Sequence, residues 1–330
     1  MEQNTDRHDV VVVGGGAAGL SAALVLGRSR RSVLLVDAGD PRNARAAGVH
    51  NYLGQEGTAP AELSRIGRAE VTRYGVEIAD GRVVAASAVR ADTADGDHRP
   101  AFRVVLDSGR VVEARRLVVA SGSVDVLPDV PGLAEQWGRG VVHCPYCHGW
   151  EVRDRRIGVL LTSAIQVHQA QLFRQLSDDV TVFATDPALL DDDARRRLDV
   201  RGIVVVDGPV ARVVSTDDVL TAVELADGRL VEVDALAASS TVEARVDFLA
   251  GLGLEPEDQV VNGARFGSVL PTGPTGETSV RGVWAAGNPT NVATIVIAAS
   301  AAGTGVGAQV HADLVAEDVE LALRDAVPAG

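Results

Sequence analysis

The first hydrophobic segment of the chain, residues 10–13, is an apolar run without any alternating polar position. Such a run is typical of a strand that is buried on both faces of a parallel sheet. A glycine-rich turn follows, then the apolar spacing of a helix over residues 20–26 and a second apolar strand over residues 32–36. This order of strand, turn, helix and strand predicts a parallel α/β unit.

Two hairpins and one late helix are predicted further along the chain. Residues 102–106 and 110–113 flank an Asp-Ser-Gly turn, and residues 219–225 and 230–233 flank an Asp-Gly turn. Both patterns are hairpin signals. The apolar stretch 292–308 is interrupted by Thr, Ser and Gly, so it predicts a buried helix rather than a membrane span.

Composition limits the classes of protein to consider. The 330 residues, of which 46% are hydrophobic, are enough for two ordinary globular domains. The net charge of -14 is spread along the chain, which argues against nucleic acid or an anionic membrane as a partner. No basic segment followed by an apolar run begins the chain, so we expect no signal peptide and a cytoplasmic location.

The glycine-rich turn, residues 14–19, carries the G-x-G-x-x-G pattern, and an acid, Asp37, follows about twenty residues later. Gly14 permits the tight turn, Gly16 lets the backbone approach a pyrophosphate, and Gly19 allows close packing of helix and strand. Asp37 can accept a hydrogen bond from a ribose hydroxyl. The turn therefore predicts a dinucleotide site without separating FAD from NAD. Its candidate residues are Gly14, Gly16, Ala17, Ala18, Gly19, Asp37 and Ala38.

The only two cysteines, Cys144 and Cys147, form a C-x-x-C pair. Such a pair can close an exchangeable disulfide, and its spacing can lower the pKa of one thiol. His148 follows directly and can act as a base near neutral pH. Zinc would need four ligands from within six residues, which cannot easily surround one ion, so we expect no metal. Inert buried cysteines are the other alternative, and His143 can equally satisfy a hydrogen bond in the core.

Two further segments distinguish FAD from NAD, because each resembles an FAD-binding segment of a known family. Residues 279–288 resemble the second FAD segment of pyridine-nucleotide-disulfide reductases, with Asn288 where that family usually has Asp. Residues 117–122 match the strand that closes the first FAD half in the same family. The resemblance implies FAD as the cofactor. It adds Ala120, Ser121, Gly122, Gly287 and Asn288 to the candidate cofactor residues.

The order of the segments resembles low-molecular-weight thioredoxin reductases along nearly the whole chain. Residues 49–54 are similar to the FAD-contacting loop of that family, with Asn51 at a contact position. The resemblance implies an α/β fold of two Rossmann-like three-layer domains and a homodimer. The expected FAD domain comprises residues 1–121 and 245–330, and an inserted NAD(P)-type domain, residues 122–244, carries the cysteines. The expected crossing points are short polar linkers at residues 122–123 and 239–241.

The inserted domain departs from this pattern at the nucleotide site. The turn over residues 161–166 contains no glycine, so side chains would keep the backbone away from a pyrophosphate. The strand over residues 180–183 leads to Asp186, where the family offers arginines to the 2′-phosphate of NADPH. We therefore expect a degenerate NADPH-type domain whose nucleotide site is lost.

The residues Cys-Pro-Tyr-Cys-His-Gly-Trp resemble flavin-dependent dithiol oxidases that close disulfides in natural products such as gliotoxin, holomycin and romidepsin. His148 stands where reductases carry Asp. The resemblance implies that a small-molecule dithiol is oxidised, with Cys147 nearer the flavin, and that electrons pass through FAD to O2. An NADPH- or ferredoxin-dependent disulfide reductase is the first alternative. A non-catalytic redox sensor or scaffold is the second.

Overall fold

The computed structural model describes residues 6–89, 101–261 and 263–326. The outermost ends of the predicted FAD domain, residues 1–5 and 327–330, lie outside the described residues. Nineteen strands occur in the described ranges: β1 (Asp6–Val13), β2 (Val33–Asp37), β3 (Glu77–Asp80), β4 (Val83–Ala88), β5 (Phe102–Leu106), β6 (Val111–Val119), β7 (Ser123–Val126), β8 (Val141–Val142), β9 (Ile157–Leu161), β10 (Val180–Ala184), β11 (Val204–Asp207), β12 (Val210–Thr216), β13 (Val219–Leu225), β14 (Leu230–Glu232), β15 (Ala235–Ala237), β16 (Thr241–Ala244), β17 (Glu257–Val261), β18 (Ala264–Val269) and β19 (Val283–Ala285).

Helices alternate with these strands. The α-helices of the described part are α1 (Ala17–Arg28), α2 (Pro60–Thr72), α3 (Leu133–Gln136), α4 (Pro145–His148), α5 (Gln166–Phe173), α6 (Asp192–Asp199) and α7 (Val296–Asp325). Short 3-10 helices cover Trp150–Val152, Pro187–Leu189 and Asp247–Leu252.

The largest sheet joins the two ends of the chain. Its strand order is β3-β2-β1-β6-β5-β4, and β19 also pairs with β6. Strand β1 runs parallel to β2 and β6, and β19 runs parallel to β6. The chain thus leaves this sheet after β6 and returns to it at β19. This membership is consistent with a discontinuous first domain, whose exact boundaries stay predictions.

The apolar run of β1 is buried on both faces of the sheet, as predicted. Val10 and Val12 pack into a cluster with residues of α1 and α7. Val11 and Val13 pack into a second cluster that includes Phe102 of β5. Because each face needs a covering layer, the alternation along one buried strand produces a three-layer arrangement.

The segment between β7 and β18 builds the other sheets. Five parallel strands in the order β11-β10-β9-β15-β8 form a second Rossmann-like sheet. One cluster beneath it includes Phe173 of α5 and Leu198 of α6. A second cluster joins it to the antiparallel sheet β12-β13-β14 through Leu160 and Val223. The predicted α/β class with two Rossmann-like three-layer units is confirmed.

The crossing points between the two large sheets are more ordered than the predicted polar linkers. Strands β7 and β16 pair antiparallel, with Ser123 opposite Ala244. They belong to a four-stranded sheet in the order β17-β18-β16-β7. The two passages of the chain are therefore bonded to each other.

Both hairpin predictions are confirmed, because β5 pairs antiparallel with β6 and β13 with β14. The prediction of a buried helix over residues 292–308 is wrong at both ends. Helix α7 spans Val296–Asp325 and buries one face only, because α1 and the sheet cover a single side of it. Within the described ranges, no helix is long and apolar enough to cross a membrane.

Candidate active site

The two cysteines lie at the two ends of a single helical turn. Cys144 follows β8 and is the N-cap of α4, with extended backbone angles of φ -104 and ψ 121. Pro145 occupies the first turn, where a missing N–H costs nothing. Cys147 lies one turn later, and its thiol donates to the Cys144 sulfur at an Sγ–Sγ distance of 2.7 Å. Both are free, half-buried thiols, so the loss of two electrons and two protons, with a small approach of the sulfurs, would join them in a disulfide.

This arrangement makes the two thiols unequal. The hydrogen bond from Cys147 lowers the pKa of Cys144 from 9.0 to about 7, against the effect of burial. The backbone N–H groups of Cys147 and Tyr146 and the charge of Arg42 lower the pKa further. The pKa of Cys147 is raised well above its ordinary value, first by its bond to Cys144 and then by burial. Above about pH 7 the reduced pair therefore carries one negative charge, on the sulfur of Cys144.

The role of Cys147 as a donor predicts the behaviour of two variants. In Cys147→Ser a hydroxyl still donates, so the pKa of Cys144 should stay well below 9.0. In Cys147→Ala the donor is lost and this pKa should rise toward 9.0, which slows alkylation at pH 7 several-fold. The pH dependence of iodoacetamide alkylation of Cys144 measures both values. Identical profiles for the two variants would contradict the assigned hydrogen bond.

The loop that precedes α2 lies against the cysteine turn. Asn51 has a left-handed backbone with φ 59, and its Nδ2 donates to the carbonyl oxygen of Tyr146 at 2.5 Å. Glu56 accepts the backbone N–H of Asn51 at 2.9 Å and bonds the His50 ring at 2.6 Å. The predicted contact residue Asn51 therefore lies beside the cysteines and fixes the turn between them.

The two histidines of the motif differ in their surroundings. The Nε2 atom of His148 is buried and has no hydrogen-bond partner among the described residues. Burial lowers the pKa of His148, and although Glu151 raises it, His50 lowers it again. His148 is consequently neutral at pH 7. His143 makes the core hydrogen bond that the sequence left open, from Nδ1 to the oxygen of Ala238 at 3.1 Å, and burial also lowers its pKa.

Arg42 is a residue that sequence reasoning missed. Its guanidinium makes two hydrogen bonds to Asp125, at 2.8 and 2.7 Å, and Ser240 donates to the same carboxylate at 2.6 Å. Arg42 contributes to lowering the pKa of Cys144. No motif marks this loop, and its partner lies 83 positions away, so the sequence held no signal for the contact.

The glycine-rich turn has the shape that a bound dinucleotide requires. A side chain at Gly14 would lie 2.2 Å from the oxygen of Ala120, and one at Gly19 would lie 1.8 Å from the oxygen of Gly14. Gly16, the N-cap of α1, instead faces open space and has no side-chain cap. The first N–H groups of α1, which begins at Ala17, are therefore available to an anion.

Two polar groups flank this turn. The hydroxyl of Ser121, which follows Ala120, is buried and lacks a hydrogen-bond partner in the described part of the chain. Asp37 ends β2, and its Oδ1 accepts the N–H of Gly15 at 3.3 Å. Its Oδ2 is bonded by Arg68 at 2.9 Å, an ion pair that the sequence did not indicate. The orphaned hydroxyl and the open turn both fit a dinucleotide.

The later segment lies against the same helix. Gly287 has φ +85, and a Cβ there would lie 3.1 Å from the Cβ of Ala18. The Nδ2 of Asn288 donates to backbone oxygens of the following loop, including that of Thr294 at 3.2 Å. A carboxylate cannot donate in this way, which gives a physical reason for Asn where the family usually has Asp. Most predicted cofactor residues thus surround the start of α1, while Asn51 lies with the cysteines.

Two Rossmann-like units and an acidic thiol paired with a second thiol define a class, the thiol–disulfide oxidoreductases of dinucleotide-binding fold. The matching family model is that of the pyridine nucleotide-disulphide oxidoreductases, over residues 8–303. The chain belongs to this family, and it is therefore an oxidoreductase of a flavoprotein family.

Individual relatives show which members of the family this chain is similar to. Thioredoxin reductase tcpT of Claviceps purpurea is 33% identical over 320 residues, covering 93% of this chain and 95% of the relative. Thioredoxin reductase sirT of Leptosphaeria maculans is 30% identical over 325 residues, covering 94% and 95%. The crystal structure of HlmI superposes with a TM-score of 0.87 at 41% identity, covering 99% of this chain and 97% of that one. The thioredoxin reductase-like fold and the family resemblance are confirmed.

Proposed function

We propose that this protein is an FAD-dependent dithiol oxidase that closes a disulfide within a small-molecule dithiol and uses O2 as the electron acceptor. The proposal rests on the contrast between the thiol pair and the nucleotide turn of the second unit. The thiol pair is complete, with sulfurs 2.7 Å apart and a Cys144 pKa of about 7, whereas the turn of the second Rossmann-like unit has no glycine for a nicotinamide dinucleotide. A cytoplasmic homodimer is part of the same proposal.

FAD would be held by the residues around the start of α1. Gly14, Gly16 and Gly19 allow its pyrophosphate to reach the helix N-terminus, and Ser121 offers an unpartnered hydroxyl. Asp37 would accept a hydrogen bond from the ribose while its carboxylate stays paired with Arg68. When bound, FAD would supply two-electron transfer from the reduced cysteine pair to O2, with hydrogen peroxide as the product.

The cysteines perform the exchange in two steps. A substrate thiolate attacks Cys144 of the oxidised pair, which forms a mixed disulfide and releases Cys147 as thiolate. The second substrate thiolate attacks the substrate sulfur bound to Cys144, which closes the product disulfide and releases Cys144. Once Cys147 has taken up a proton, its hydrogen bond lowers the pKa of Cys144 and favours this second step, because a more acidic thiol leaves faster. Two protons and two electrons leave the substrate.

His148 would receive a substrate proton during this exchange. Its lowered pKa keeps the ring neutral, and its buried Nε2 has no competing partner in the described residues. A neutral imidazole is the form that accepts a proton. Because burial holds the pKa of this ring below its ordinary 6.5, the neutral form predominates at pH 7.

Oxygen consumption tests the acceptor. With a small dithiol as substrate, we expect one O2 consumed and one hydrogen peroxide formed for each disulfide closed. An oxygen electrode, a peroxide assay and thiol titration measure the three quantities in one reaction. A dithiol that is oxidised only when another electron acceptor is added would contradict O2 as the acceptor. Reduction of a disulfide at the expense of NADPH or ferredoxin would instead favour a disulfide reductase.

A further inference from the structure

The two Rossmann-like units treat the turn after their first strand differently. In the first unit, the N-terminus of α1 has no side-chain cap and Gly16 faces open space. In the second unit, Gln166 at the start of α5 reaches back over the corresponding turn. Its Oε1 accepts the backbone N–H of Thr162 at 2.6 Å and that of Ser163 at 2.7 Å.

The burial of Gln166 shows that this contact is part of the core. The residue is 1% exposed, and its Nε2 is buried without a hydrogen-bond partner in the described part of the chain. An unsatisfied buried N–H group is costly, so this orientation of the amide is adopted only because the opposite orientation costs more. Here the opposite orientation would face the amide hydrogens toward two backbone donors. The converging N–H groups therefore dictate that an oxygen lies between them.

Consecutive N–H groups that converge at a helix start form an anion-binding concavity, and a phosphate oxygen is their usual partner. The amide oxygen of Gln166 is a neutral equivalent of that phosphate oxygen.

The groove beside this turn offers no replacement site. A cavity of about 330 Å³ opens next to α5, and the acidic and basic residues in its lining are Asp191, Asp193, His168 and Arg197. Asp191 caps the N–H of Ala194 at 2.7 Å, and Arg197 is held by Asp193 at 2.7 Å. The carboxylates would repel a phosphate, and the arginine is already paired.

We propose that Gln166 is an internal substitute for a phosphate and the specificity-determining residue that closes the second unit to nicotinamide dinucleotides. The inference rests on the proposed function, in which electrons enter from a dithiol, and it names the side chain that excludes the other donor. It also explains why the second unit keeps a nucleotide-type turn: the chain itself occupies the anion position.

Calorimetric titration of the FAD-loaded protein with inorganic pyrophosphate tests this role. Because FAD fills the first unit, the probe reports on the second. We expect no binding to the wild type or to Gln166→Glu, which keeps an acceptor oxygen and adds negative charge. In Gln166→Ala the two N–H groups are freed, and pyrophosphate affinity should rise at least about tenfold. The control Gln175→Ala changes an exposed glutamine just after α5 and should behave as wild type.

Folded Gln166→Ala that binds pyrophosphate no better than wild type would overturn the inference. If that variant fails to fold, amide hydrogen exchange in the wild type decides: slow exchange at Thr162 and Ser163 supports the bonds to Gln166, and fast exchange overturns them. Failure of the proposed function has a different signature. It would appear as flavin reduction by NADPH in the wild type, whereas failure of this inference leaves the wild type unreactive to NADPH.

Discussion

Replacing either Cys144 or Cys147 by serine is expected to lower the rate of dithiol oxidation at least about a thousandfold, because a covalent exchange step is removed. Only two cysteines occur in the chain, so no other thiol can restore the disulfide. Each variant should keep its fold and its flavin, since serine fits the space of cysteine at half-buried positions. Initial rates of dithiol oxidation and the visible flavin spectrum measure the two properties.

The two variants should differ in what they trap. Cys147→Ser retains the acidic thiol of Cys144 and the donor beside it, so it should form a stable mixed disulfide with an aromatic disulfide reagent at pH 7. In Cys144→Ser the remaining thiol is that of Cys147, which is not at the N-cap of α4 and should react more slowly. Intact-mass analysis distinguishes the adducts. Turnover near the wild-type rate in either variant would exclude the cysteine pair from the reaction.

Gly303→Ala is expected to reduce the free energy of unfolding by about 2–3 kcal/mol and to weaken FAD retention, because it overpacks a tight helix crossing. A Cβ at Gly303 in α7 would lie 2.0 Å from the backbone oxygen of Ala18 in α1. Backbone atoms cannot move aside as a flexible side chain can, so the two helices must separate. Since Ala18 belongs to the first turn of α1, the separation also distorts the predicted FAD site.

Gly305→Ala is the matched control, two positions further along the same helix. A Cβ there meets nothing within 4 Å, and the position is exposed. Alanine should therefore stabilise the protein by about 0.5–1 kcal/mol through its higher helix propensity. Urea denaturation and the fraction of flavin retained on gel filtration measure both variants. Equal stability of the two variants would contradict the close crossing of α1 and α7.

The sequence predicted those parts of the fold that depend on local pattern. The buried run of β1, the turn at Gly14 and the hairpin of β5 and β6 each follow from neighbouring residues alone. The cysteine pair was visible for the same reason, because a single helical turn brings Cys144 and Cys147 together. Local spacing was sufficient wherever a few consecutive residues determine the geometry.

Contacts between distant segments were not predictable in this way. Arg116 is fully buried and bonds Glu317 at 2.6 Å, 201 positions away, yet both residues look like ordinary surface charges in the sequence. The pairing of Arg42 with Asp125 has the same character. Gln166 shows a further limit: the missing glycines indicated a lost site, but only the packed structure reveals the side chain that fills it. These contacts depend on tertiary packing between segments that are far apart in the sequence.

The central claim is that the flavin receives its electrons from a dithiol and not from a nicotinamide dinucleotide. Anaerobic flavin absorbance measures this most directly. The purified yellow protein is mixed with a small dithiol in one cuvette and with NADPH or NADH in another. We expect the dithiol to bleach the flavin, the nicotinamides to leave it oxidised, and air to restore the colour with formation of peroxide. Rapid bleaching by NADPH would contradict the account and indicate a disulfide reductase.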